Sequence, residues 1–209
     1  MNKILAIIPL ALISCQQLNW AEVPGTLNTV VNGVPDIKIT KKYYDESSYS
    51  FIKVTSGRYL NFTAILSSTD EENYRWVNSE GHVIYSKQGK IVKVSAQPEN
   101  SFYFISPKFK INSKIKDSLF EELIYFESPD AMMQQTSELR FIESEVITYL
   151  DKEVSVNVYE EKFTTEIFNW KGSNKYWVEK DSDLVIRSEQ NIYPFRKTYK
   201  IEYFYKFKN

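Results

Sequence analysis

The closing stretch YKIEYFYKF, residues 199–207, decides how the rest of the chain is read. Tyr199, Ile201, Tyr203, Tyr205 and Phe207 alternate with Lys200, Glu202 and Lys206. Alternate side chains of a strand point to opposite faces, so one face here is aromatic and the other charged. An antiparallel sheet with one face on a core and one in water has this pattern.

The same rhythm recurs upstream. In RYLNFTAIL (58–66), Leu60, Phe62, Ala64 and Leu66 share a face against Asn61 and Thr63. FIKVT (51–55) and IVKVSA (91–96) repeat it, as does KEVSVNVY (152–159), where Val154, Val156 and Val158 oppose Ser155 and Asn157. Turn signals at Ser56-Gly57, Glu80-Gly81, Gln88-Gly89 and Lys171-Gly172 separate these runs, as hairpins require. The composition of 15 Tyr, 13 Phe and 4 Trp suits pleated surfaces. Two regions depart from the pattern. TKKYYDES, from Thr40, opens a short helix with Thr40 as its cap. In DSLFEELIYF (117–126), Leu119, Phe120, Leu123 and Ile124 recur at helical spacing behind Asp117, and PDAMMQQ (129–135) adds a turn. The expected fold is mainly β, an antiparallel meander of about 8–11 strands curved into a half-barrel or deformed barrel, with a few short helices across its open side.

The amino terminus follows other rules. Lys3 is followed by an uncharged apolar run to Ile13, then Ser14 and Cys15. These are the parts of a secretory signal peptide, and the run is too short for a membrane-spanning helix, which needs roughly 20 apolar residues. Leu12, Ile13, Ser14 and Cys15 resemble the lipobox of bacterial lipoproteins, whose cysteine thiolate takes up lipid as a thioether. Cys15 is the only cysteine, so no internal disulfide competes for it. Two or more acyl chains, at roughly 0.8 kcal/mol per buried CH₂, make a lasting membrane anchor. The expected organisation is a signal peptide over 1–14, a lipidated tether over 15–36 containing Pro24, Gly25, Gly33 and Pro35, and a single β-rich domain over 37–209. Gln16 stands where an aspartate commonly marks inner-membrane retention, which favours the outer membrane with the domain facing the periplasm.

Without Lys3 the chain retains one basic residue fewer than its 26 Lys+Arg, against 27 Asp+Glu, a net charge of about −2. Such a balance argues against nucleic acid as a partner. His82 is the only histidine and sits in the turn-like SEGHV, so a histidine-based triad or metal site lacks its other members. No glycine-rich phosphate loop and no GxSxG is present. The acidic pairs Glu71-Glu72, Glu121-Glu122 and Glu160-Glu161 are poor models for two acids facing one glycosidic bond, because neighbours on a strand diverge; they read as solvated surface. The expectation is no enzymatic activity and no cofactor or metal. Trp76 and Trp177 each lie in an alternating segment near a turn, with two readings open: core packing, or contact with a sugar ring.

Three pieces of sequence carry a family resemblance. They are the lipobox followed by LNTVVNGVPDIKIT, the central RWVNSEGHVIYSKQGKIVKV, and NKYWVEKDSDLVIRSEQNIYP near the end. Together they resemble the YjbF/GfcB family of group 4 capsule and exopolysaccharide lipoproteins. Trp76, Gly81 and Gly89 fall on shared positions in the central piece; Asn174, Tyr176, Trp177, Val178, Ser188, Gln190 and Pro194 do so in the later one. Lys90 stands where arginine is usual in the family. The resemblance implies an outer-membrane lipoprotein with a β-rich meander, encoded with polysaccharide export functions. From it we expect an accessory protein whose partners are the membrane, through its lipid, and polysaccharide or capsule-export proteins. Trp76, Tyr176, Trp177 and Gln190 form the expected binding surface. Two other roles stand beside this one: a lipid- or lipoprotein-handling half-barrel, and a hydrolase using two carboxylates.

Overall fold

Twelve strands, each hydrogen-bonded to the next in chain order, close into one antiparallel barrel. The computed structural model describes residues 34–207 apart from 59, 71, 96–100, 168 and 195. The expected signal peptide, Cys15 and nearly all of the expected tether lie outside the described residues. The strands are β1 (Phe51–Ser56), β2 (Leu60–Asp70), β3 (Asn73–Val77), β4 (Val83–Lys87), β5 (Lys90–Ser95) and β6 (Phe102–Ile105). They continue as β7 (Ser118–Glu127), β8 (Asp130–Tyr149), β9 (Lys152–Thr165), β10 (Lys171–Glu179), β11 (Val185–Gln190) and β12 (Tyr199–Phe204). The barrel closes where β12 pairs with β1, Phe204 opposite Phe51 and Ile201 opposite Val54. The mainly β class is as the sequence indicates, with closure added and one strand more than the expected range.

Alternation sets the interior. Tyr199, Ile201, Tyr203, Tyr205 and Phe207 all belong to the inner cluster, as do Leu60, Phe62, Ala64 and Leu66 from β2 and Ile52 and Val54 from β1. The helix α1 (Lys41–Glu46) forms where expected, with the Thr40 hydroxyl accepting from the Tyr43 amide at 3.2 Å. A smaller aromatic cluster lies on the outer wall, where Phe204 stacks on Phe51 at 4.8 Å and on Tyr149 at 5.6 Å. Tyr149, near the tip of the long β8–β9 hairpin, also donates its hydroxyl hydrogen to the Tyr203 carbonyl, so the hairpin reaches back onto β12. Val154, Val156 and Val158 share a face as predicted; Val156 and Val158 are buried, but outside the interior cluster.

The helices expected over 117–126 and 129–135 are strands instead, β7 and the start of β8, paired from Ser118 opposite Leu139 to Glu127 opposite Asp130. Phe120, Glu122, Ile124 and Phe126 point inward, while Leu119 is 74 % exposed. Helical spacing arises because two outward apolar residues, Leu119 and Leu123, fall beside the inward ones. Lys171-Gly172, expected as a turn, begins β10. A Cβ on Gly172 would lie 2.6 Å from the Phe163 ring, so this glycine makes room inside the barrel rather than ending a strand.

Gly57, Gly81 and Gly89 all take positive φ at the predicted turns. Gly89 is the constrained one: its φ is 80°, and a Cβ would stand 2.5 Å from Val185. Gly89→Ala therefore combines backbone strain with a clash against β11, and is expected to cost about 2–3 kcal/mol, read as a lowered urea midpoint at unchanged slope.

Candidate functional site

The interior is filled and ion-paired. From β5, Lys90 is buried and donates to Glu122 Oε2 of β7 at 2.6 Å and to Glu161 Oε1 of β9 at 2.8 Å. The second Glu161 oxygen accepts from Asn174 Nδ2 at 2.9 Å and the Tyr176 hydroxyl at 2.8 Å. The second Glu122 oxygen accepts from the backbone amides of Lys108 and Phe109 at 2.8 and 3.0 Å. Rings of Phe104, Phe109 and Phe120 stand 4.6, 5.1 and 5.3 Å from the Lys90 ammonium. Burial by itself drives the Glu161 carboxyl upward, but the Lys90 charge and the bonds from Lys90, Asn174 and Tyr176 outweigh it, leaving the group below its ordinary value. Burial likewise drives the Lys90 ammonium down, and Glu161 and Glu122 reverse this to leave it raised. Tyr176 is held far above its ordinary value, by burial first and by Glu161 second, and so keeps its proton as donor.

A second set of bonds fixes the β4–β5 turn from within. Gln190 Oε1 accepts from the Ile91 amide at 2.9 Å, and Gln190 Nε2 donates to the Gly89 carbonyl at 2.8 Å. Tyr203 donates to the same carbonyl at 2.7 Å. Trp76 is fully buried against Tyr74, Tyr203 and Tyr205, and its indole N–H donates to Ser86 Oγ at 2.8 Å.

The four residues expected to share a binding surface therefore separate. Trp76, Tyr176 and Gln190 point into the barrel, where their polar atoms are taken up by the framework. Trp177 points outward, half-buried, with its N–H donated to Glu145 at 2.6 Å and Arg187 5.8 Å from its ring. Alternation explains the split, since Tyr176 and Trp177 are neighbours on one strand. The reading of Glu121-Glu122 and Glu160-Glu161 as solvated is half corrected: the first of each pair lies outside the core, and Glu122 and Glu161 are buried. These two carboxylates share one ammonium inside the barrel. A void of about 10 Å³ beside Lys90 is of the order of one water. His82 sits at the β3–β4 turn, its Nδ1 3.2 Å from Asn78 Nδ2.

One concave feature lies at the surface, beside the segment that follows β6. The segment joining β6 to β7 runs PKFKINSKIKD (107–117) and tucks Phe109 and Ile111 into the core while Lys108, Lys110, Lys114 and Lys116 stay exposed. Alternation again sorts the side chains, here on a strap with no ladder of its own. Between residues 113–117 of this strap and the β8–β9 hairpin lies an open groove of about 790 Å³. Its lining includes Lys114, Lys116, Lys180, Phe141, Ser144 and Asn157. In the sequence the only signal of this strap is its alternating lysines, Lys108, Lys110, Lys114 and Lys116.

The outer wall is not lipid-like where β11, β12 and β1 meet. Arg187 faces Glu202 at 3.7 Å, Lys200 faces Glu189 at 3.2 Å, and Lys53 faces Asp36 at 2.8 Å, in place of the apolar band of a membrane-embedded barrel. Among the described residues no helix is long and apolar enough to cross a membrane.

Fold and site define a closed antiparallel barrel with a filled, charge-compensated interior and a basic strap at its surface. Comparison with known proteins then gives the family. Residues 25–204 match the family described as group 4 capsule polysaccharide lipoprotein GfcB, YjbF, and the chain belongs to that family. The crystal structure of the hypothetical lipoprotein YmcC from Escherichia coli K12 is similar in fold, with a TM-score of 0.68 at 13 % identity over 90 % of this chain and 97 % of that one. A candidate lipoprotein from Parabacteroides distasonis aligns at a TM-score of 0.42 and 10 % identity, over 77 % of this chain and 95 % of the other, too distant to bear on the fold. No curated protein matches the sequence.

Proposed function

We propose that the protein is a non-enzymatic accessory factor in capsule or exopolysaccharide secretion, held at the outer membrane by acyl chains on Cys15, with its barrel in the periplasm. It acts by binding glycan or a component of the export machinery. The family match over residues 25–204 carries this reading. The lipobox ending at Cys15 supports the anchor, and the ion-paired outer wall supports a barrel that works in water rather than in lipid. The buried carboxylates are committed to Lys90 and to neighbouring donors, which supports a framework role for them rather than a chemical one.

Deleting the gene is expected to lower surface or secreted polysaccharide under capsule-inducing conditions, and a plasmid copy to restore it. A Cys15→Ser copy is expected to lose acyl-chain labelling and to restore poorly. Unchanged polysaccharide in the deletion strain would overturn the proposal, and equal labelling of Cys15→Ser would overturn the anchor.

A further inference from the structure

We infer that the groove beneath the strap binds an anionic stretch of polysaccharide, a sugar chain bearing uronate or similar acidic groups. The inference rests on the polysaccharide role proposed above and names its site and ligand class. Lys114 and Lys116 come from the strap and Lys180 from the β10–β11 turn, so two separate segments of the chain deliver three ammonium groups to one groove of about 790 Å³. All three are exposed, and none forms an ion pair among the described residues. Lys108 and Lys110, on the same strap, are exposed and unpaired in the same sense.

The acidic groups nearby do not cancel this charge. Asp117 is the one carboxylate in the lining, and its Oδ1 accepts from the Phe141 amide at 3.3 Å. Asp183 is tied to the Ser113 amide at 2.8 Å and, although its charge reaches Lys114, it lies outside the lining. Within the lining, three ammonium groups against the one carboxylate leave a local positive excess on a chain whose net charge is −1. A confined excess of this kind selects a short anionic segment, whereas nucleic acid calls for a broad basic face.

The remaining lining suits a sugar. Phe141 is 45 % exposed and packs edge-to-face on Tyr159 with centroids 5.7 Å apart, which holds its ring in place at the groove. The apolar C–H face of a pyranose packs against such a ring while its acidic substituent meets an ammonium. The groove is also built before any ligand arrives. Ser144 donates to Asn157 Oδ1 at 2.7 Å, and Asn157 Nδ2 donates to the Ser113 carbonyl at 2.7 Å, tying hairpin to strap. Walls fixed in this way lose little freedom on binding.

The test uses full-length protein in detergent, with polygalacturonate as the acidic probe and dextran as the neutral one. Polygalacturonate should bind, with affinity falling as salt rises, and dextran should not. Lys114→Glu, Lys116→Glu and Lys180→Glu combined should weaken binding about tenfold or more with an unchanged melting temperature, because all three are surface positions. Phe141→Ala, which leaves the charge alone, should weaken it several-fold. Absence of polygalacturonate binding, equal binding by the triple variant, or equal retention of dextran overturns the inference. Complementation separates it from the proposal it rests on. A deletion phenotype fully restored by the triple variant overturns the groove and leaves the accessory role standing. A deletion without phenotype overturns that role, while the polygalacturonate assay still decides the groove.

Discussion

Lys90→Met destabilises the barrel by about 3–5 kcal/mol, because it leaves two buried carboxylates facing each other with no cation between them. For a chain of this size that is a fall of roughly 10 °C in melting temperature. The pH dependence identifies the cause. In the native protein the Glu161 carboxyl is lowered, so its contribution is complete above its ordinary value of 4.5 and is lost as pH falls below that. The Lys90 ammonium is raised, so its contribution is complete below 10.5 and is lost as pH climbs through the raised native value. In Lys90→Met the acid limb changes sign: with the Lys90 charge gone, burial pushes the Glu161 carboxyl up, and mild acid, which protonates it, recovers stability. Thermal melts of both proteins at neutral pH and near pH 5 check this, and a variant that only loses stability on acidification contradicts it. Lys90→Arg keeps the cation that the family resemblance leads one to expect here, and should retain most of the stability.

Trp76→Ala costs about 3–5 kcal/mol, the usual range for deleting a large buried aromatic whose neighbours cannot close the gap. Its ring lies about 6 Å, centroid to centroid, from those of Tyr74, Tyr203 and Tyr205, on strands from both sides of the closure, so collapse of the void would require the barrel wall itself to move. The lost indole N–H also leaves the buried Ser86 hydroxyl without its donor. Trp177→Ala, on the outer wall, should cost distinctly less, because its ring is half in water. Urea unfolding of the two variants gives the comparison, and equal losses would contradict the inward and outward placement.

The placement of Trp76 and Trp177 shows how far sequence reasoning reaches. Both were candidate sugar contacts, and nothing local distinguishes them; one lies in an interior that only closure creates. The misread helix over 117–126 has a related origin. Glu122 occupies an inward position, which hides the period of two, and Leu119 and Leu123 occupy outward ones, which imitates a period of 3.6. A charge at an inward position becomes intelligible only when its partner is known, and Lys90 lies 32 residues away on another strand. The groove was hidden for the same reason, since Lys180 is brought to Lys114 by the barrel and not by the chain.

The sequence by itself determined the antiparallel β class, the inward face of the final strand from Tyr199 to Phe207, the turns at Gly57, Gly81 and Gly89, the Thr40 cap, and the family. These are local matters of alternation, backbone freedom and motif. The tertiary structure alone decided that β12 meets β1, that Lys90, Glu122 and Glu161 meet inside, and that the strap and hairpin form a cationic groove. Each of these joins residues distant in the chain, and which charges neutralise one another, and which are left to meet a ligand, is settled only when those residues are brought together.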